Sequence, residues 1–112
     1  MALNNVLYVD DEADWRRIVQ AKFKQRLAKT VDVARDYISG VAKIKKKFYD
    51  LVVVDGLDGN CFRLIDDVKD VSHGPIAIFS SNSGIRSKAM QEGIPFYNKP
   101  MELDKIVRTY KK

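Results

Sequence analysis

Short apolar runs that stop abruptly at a polar residue constrain this chain most: VLYV ends at Asp10 and Asp11, LVVV at Asp55, and IAIF at Ser80. Four unbroken apolar residues match the length of a strand covered on both faces rather than that of a helix. With 31–34 and a weaker run at 95–97, the strand candidates are 6–9, 31–34, 51–54, 76–79 and 95–97, separated by helix-length segments of mixed polarity. Such alternation predicts an α/β fold, a mostly parallel sheet between two layers of helices. Ligands gather outside the carboxyl ends of the strands in these sheets, so the acids are expected to converge there. Lys99, just before Pro100, and Ser80 add a cation and a hydroxyl at two further strand ends. The set describes a pocket for a divalent cation and a phosphoryl group.

The first helix is expected to bury Trp15, Ile18, Val19, Phe23 and Leu27, which share one helical face, with Asp14 as its N-cap. A second spans about 36–47 and carries Gly40 in its interior, at a cost of about 1 kcal/mol relative to Ala. A third covers about 60–71, a fourth about 83–92 with Gly93 as its stop, and a fifth follows Pro100 with Leu103, Ile106 and Val107 apolar.

At 112 residues the chain has room for one domain, and no apolar stretch reaches the roughly 18 residues of a membrane-spanning helix. MALNN lacks the basic-then-apolar order of a secretory signal, so a soluble, cytoplasmic protein is expected. The single Cys61 has no second Cys or paired His at metal-ligand spacing and reads as a reduced thiol. Of the charge, +5 overall, the excess lies in 15–48, where eleven Lys or Arg face only Asp32 and Asp36. That half predicts a basic surface, either solvated or docking an acidic partner. No RNA-binding aromatic motif or zinc-finger spacing accompanies it, which leaves direct nucleic-acid binding disfavoured.

Taken together, VLYVDDE, LVVVDG, IAIFSS and FYNKP resemble the receiver domain of two-component response regulators, of the chemotaxis type, across nearly the whole chain from Val6 to Tyr110. The resemblance implies a single receiver domain over 1–112 with a flavodoxin-like five-stranded parallel sheet of order 2-1-3-4-5. By position it implies that Asp55 is the phospho-acceptor, that Asp11 ligates Mg2+ directly and Asp10 through water, and that the Leu57 carbonyl completes the protein's share. Ser80 and Lys99 would hold the phosphoryl oxygens, and Phe96 occupies the switch-aromatic position. The implied partners are a histidine kinase or phosphotransfer protein and a downstream protein target. The protein would not be an enzyme in the ordinary sense, since it would catalyse only its own phosphorylation and dephosphorylation.

Elementary electrostatics points the same way. Two carboxylates about 4 Å apart repel by roughly 4 kcal/mol at an effective dielectric of 20, and such crowding requires a cation. On this basis Asp10→Asn and Asp11→Asn are both expected to stabilise the metal-free fold while abolishing metal binding. The segment after Asp55, GLDGN, is shorter than the family's usual loop, which puts Gly56 forward as the residue that lets the backbone approach the ion, and Asp58 as a possible extra ligand. Leu57 and Asn82 fall two residues beyond the acceptor and the hydroxyl, where the family tunes water access. Trp15, one helical turn beyond Asp11, is expected near the pocket mouth.

Three other functions fit part of the pattern. A degenerate receiver would act as a phosphorylation-independent scaffold through its basic face, but the pocket residues are intact. A magnesium-dependent phosphatase would carry a second aspartate where Leu57 stands. A basic nucleic-acid adaptor would bind with a steep salt dependence.

Overall fold

The structure, a computed structural model, describes residues 2–111. Five strands, β1 (Leu3–Val9), β2 (Ala28–Ala34), β3 (Leu51–Val54), β4 (Ile76–Ser80) and β5 (Phe96–Asn98), alternate with five helices, α1 (Ala13–Arg26), α2 (Tyr37–Lys46), α3 (Asn60–Asp67), α4 (Ser83–Gln91) and α5 (Leu103–Tyr110). All pairs are parallel, as the strand-helix alternation predicts, and the order is β2-β1-β3-β4-β5, as the family resemblance implies.

Side chains alternate across a strand, and the sheet accordingly sorts its apolar residues into two layers. Val6, Tyr8, Val53, Ala77 and Phe79 face α1 and α5, meeting Val19, Phe23 and Ile106. Leu7, Val9, Val52, Val54 and Ile78 face the other helices, meeting Ile44, Leu64 and Ala89. Every residue of β3 is buried, which is why LVVV carries no alternation. Among the described residues no helix is long and apolar enough to cross a membrane.

Several local expectations are corrected. Helix α1 starts one residue before Asp14, with Glu12 at the N-cap and no side-chain cap, while the Glu12 amide donates back to Asp10 Oδ1. Asp14 pairs with Arg17 in the first turn. Ile18 is 48% exposed, so the buried stripe of α1 is narrower than the apolar pattern suggests. Helix α3 ends at Asp67 and continues as turns in which the Val71 amide bonds the Val68 carbonyl. Gly40 has a packing reason: a Cβ there would lie 3.0 Å from Leu64 Cδ1 and 3.1 Å from Val9 Cγ2, so α2 approaches the sheet and α3 closely.

Candidate functional site

Register decides the site. Val9 of β1 pairs with Val54 of β3, so the residues one step beyond, Asp10 and Asp55, emerge side by side. Their amides continue the ladder, Asp10 N–H to the Ala34 carbonyl at 3.0 Å and Asp55 N–H to the Val9 carbonyl at 2.8 Å. Asp10, Asp11 and Asp55 each place a carboxylate oxygen within 4.8 Å of the others. Asp10 is fully buried, Asp55 half-buried and Asp11 exposed.

Lys99 completes the hollow from the end of β5. Its backbone amide bonds the Ser80 carbonyl at 3.1 Å, while Nζ donates to Asp10 Oδ2 at 2.7 Å and Asp55 Oδ1 at 2.9 Å. The ammonium lies 4.7 Å from the ring centre of Trp15 and 5.7 Å from that of Phe79, near enough for cation–π attraction. Burial alone would lower the Lys99 pKa; the bonds to Asp10 and Asp55 outweigh it and hold the ammonium above the ordinary lysine value. Asp11 is shifted upward, by partial burial and by the neighbouring Asp55 and Asp10 charges.

Ser80 is buried at the end of β4, where its Oγ accepts the Asn82 N–H at 3.1 Å. Asn82 in turn caps α4 by accepting the Ile85 N–H at 2.9 Å. A Cβ on Gly56 would fall 2.9 Å from Ser80 Oγ and 2.6 Å from Ile85 Cδ1, so the loop after Asp55 packs directly on the hydroxyl. Gly56 has an ordinary helical φ of −56°; space, not backbone freedom, requires a glycine there. The left-handed conformations fall instead on Leu57 (φ 50°), Asp58 (φ 53°) and Gly59 (φ 94°), and few non-glycine residues adopt them as the first two do. This compressed turn is how the short loop closes. It is held by the Leu57 N–H donating to Asp55 Oδ2 at 3.2 Å and by the Gly59 N–H donating to the Gly56 carbonyl at 2.8 Å.

The Leu57 carbonyl accepts the Asn60 N–H, which uses one of its two lone pairs. Asp58 lies outside the acidic cluster and lines a separate surface cavity of about 410 Å³ with Phe62, Asn82, Ile85 and Lys88. Phe96 is half-buried at the start of β5 and packs on the layer beneath α2, α3 and α4. Trp15 stands at the hollow as its position one turn beyond Asp11 predicts, stacked edge-on with Phe79 at 5.8 Å.

Two contributors escaped the sequence reading. The Arg16 guanidinium donates to the Asp10 carbonyl at 2.8 Å, and the Tyr8 hydroxyl donates to Asp10 Oδ2 at 2.5 Å. Burial first, then the Asp10 carboxylate, pushes the Tyr8 phenol far above the usual tyrosine range, so it remains a donor. The available signal was spacing: residues two apart in a strand share a face.

No protein-family model matches the chain, and no curated protein matches it. Solved structures do. A Francisella response regulator receiver domain is 23% identical with a TM-score of 0.80, covering 96% of this chain and 93% of that one. The receiver domain of a sensor histidine kinase from Pseudomonas aeruginosa, whose active-site cleft coordinates a magnesium ion, is 21% identical with a TM-score of 0.80, covering 97% of this chain and 98% of that one. NtrX from Brucella abortus, in complex with ADP, is 29% identical with a TM-score of 0.80; this chain is 97% covered but spans only 25% of that protein. The sheet order, the five helices and these superpositions establish that the chain has the fold of response regulator receiver domains.

Proposed function

We propose that this chain is a phospho-accepting receiver, a single domain over 1–112 acting in the cytoplasm, in which Asp55 takes a phosphoryl group from a phosphohistidine partner in a Mg2+-dependent reaction. The observation that carries the reading is the convergence of Asp10, Asp11 and Asp55 within 4.8 Å beside a nearly buried Lys99, at the carboxyl edge of a receiver sheet.

The donor set fits magnesium, which takes few carboxylates, keeps several waters and shares its shell with phosphate oxygens. Asp11 and Asp55 would hold it directly and Asp10 through water, with the Leu57 carbonyl completing the protein's share. When bound it supplies charge neutralisation, which lets a carboxylate approach an anionic phosphoryl group.

The chain's own residues do the rest. An Asp55 carboxylate oxygen attacks phosphorus in line as the phosphorus–nitrogen bond to the donor imidazole breaks, and the imidazole leaves with the bonding pair. Lys99 is within reach of the new charge, being already bonded to Asp55, and Ser80 supplies a hydroxyl from the adjoining strand end. Drawing Lys99 and Ser80 toward a phosphorylated Asp55 would move β4, β5 and the segment carrying Phe96, which is the surface a downstream protein would read. Water attack on the same phosphorus returns the carboxylate, so the protein is the acceptor and hydrolytic catalyst of its own phosphate rather than a turnover enzyme.

Incubation with Mg2+ and a small acyl phosphate is expected to add one phosphoryl mass, which Asp55→Asn eliminates. An unmodified parent protein under conditions where Mg2+ binds would overturn this reading in favour of a phosphorylation-independent scaffold.

A further inference from the structure

Tyr8 has no part in the chemistry proposed above, yet it places a phenol beneath the acidic hollow. It is fully buried on the face of β1 that meets α1 and α5, with its ring edge-on to Phe23 at 6.4 Å. An apolar side chain would fill this layer without a polar atom to satisfy, as Val6 does one step earlier on the same face. A buried hydroxyl is tolerated where it finds a partner, and here the partner is Asp10 Oδ2.

Asp10 is itself fully buried and receives three donors: the Tyr8 hydroxyl and Lys99 Nζ on Oδ2, and the Glu12 amide on Oδ1. These differ in mobility. Lys99 has a long flexible stem and is shared with Asp55, so a cation entering the hollow competes with it for the carboxylates and a phosphoryl group competes with them for its ammonium. The Glu12 amide belongs to the loop that opens α1 and holds only Oδ1. Tyr8 alone grips Oδ2 from a packed position in the sheet.

We propose that Tyr8 is the positioning residue of the acidic hollow: its hydroxyl holds Asp10 Oδ2 toward the core and so keeps the carboxylate in one orientation when Lys99 is drawn away. This rests on the reading of the hollow as a divalent-cation site. Hydrogen-bonded supports of metal-ligating groups typically contribute about 10–100-fold to metal affinity, and an effect of that size is expected here.

The test is Mg2+ affinity, measured by calorimetry and by the emission of Trp15, in Tyr8→Phe, with Phe23→Leu as a packing control that keeps the hydroxyl. Tyr8→Phe should melt cooperatively and bind Mg2+ about 10–100-fold more weakly, while Phe23→Leu binds close to the parent value. Unchanged or tighter binding by Tyr8→Phe, an equal loss in both variants, or a Tyr8→Phe protein that no longer melts cooperatively would each overturn the role. Asp10→Asn and Asp55→Asn are titrated alongside. If they abolish binding while Tyr8→Phe does not, only the Tyr8 role fails; if they too bind like the parent, the cation site itself is wrong.

Discussion

Asp10 and Asp11 are neighbours in the chain with opposite electrostatic situations, and this divides an expectation that treats them alike. Asp10 is buried with its charge met by Tyr8, Lys99 and the Glu12 amide. Asp11 is largely exposed, and partial desolvation first, then the Asp55 and Asp10 charges, raise its pKa. We therefore expect Asp10→Asn to destabilise the metal-free protein by about 1–3 kcal/mol, the cost of leaving part of a buried polar network unmatched. Asp11→Asn is expected to stabilise it at neutral pH. The sign of the second effect follows from linkage: an acid whose folded value lies above its unfolded value weakens the fold as pH rises through the unfolded and then the folded value. The gain from Asp11→Asn should vanish below the usual aspartate value of 3.8 and be complete above the raised folded value. Chemical denaturation of both variants without metal, across pH, checks this; a stabilised Asp10→Asn would contradict the network described here.

At the scale of elements, the compressed turn between β3 and α3 is the least ordinary part of the chain. Leu57 and Asp58 both adopt left-handed backbone, which for Leu in particular costs roughly 1–2 kcal/mol. The turn persists because Leu57 is buried and its amide is bonded to the Asp55 carboxylate. Gly56 is the hinge of this packing. Gly56→Ala would drive a methyl into Ser80 Oγ and Ile85 Cδ1, and we expect a loss of about 1–3 kcal/mol, since Ile85 can rotate away but Ser80 Oγ must give up the Asn82 N–H to do so. Denaturant midpoints of the variant measure it, and a neutral effect would mean that the loop moves more readily than its contacts indicate. The basic character of α1 and α2 survives as a surface property: Lys24, Arg26, Lys43, Lys45 and Lys46 cluster toward the ends of these helices, where cations also suit the helix dipole.

The whole molecule couples stability to the hollow. Divalent cation that binds only the folded state stabilises by about 2.7 kcal/mol at a concentration 100 times its dissociation constant. Mg2+ should therefore raise the melting temperature of the parent, a chelator should reverse the shift, and the Asp55→Asn protein should show little of either. The alkaline limb has a separate origin. The Lys99 ammonium is held above the usual lysine value of 10.5, so its contribution is fully present below that pH and is lost as pH rises through the higher folded value. A thermal melt series from neutral to strongly alkaline pH, with and without Mg2+, separates the two effects.

Local sequence located the five strands, because four-residue apolar runs such as LVVV fit a doubly covered sheet, but it missed the first three residues of β1 and of β2, where polar residues break the run. It was also sufficient for the grouping of Asp10, Asp11, Asp55 and Lys99, because strand ends in a parallel sheet fall at one edge. It could not place Ile18, whose helical spacing matches the core but whose position on α1 faces outward, since burial depends on how the helix is rolled against the sheet. Nor could it assign the strained backbone to Leu57 and Asp58 rather than Gly56, or see Tyr8 under Asp10. Those outcomes depend on contacts between residues on different strands and loops, where packing and shared hydrogen bonds override local preference.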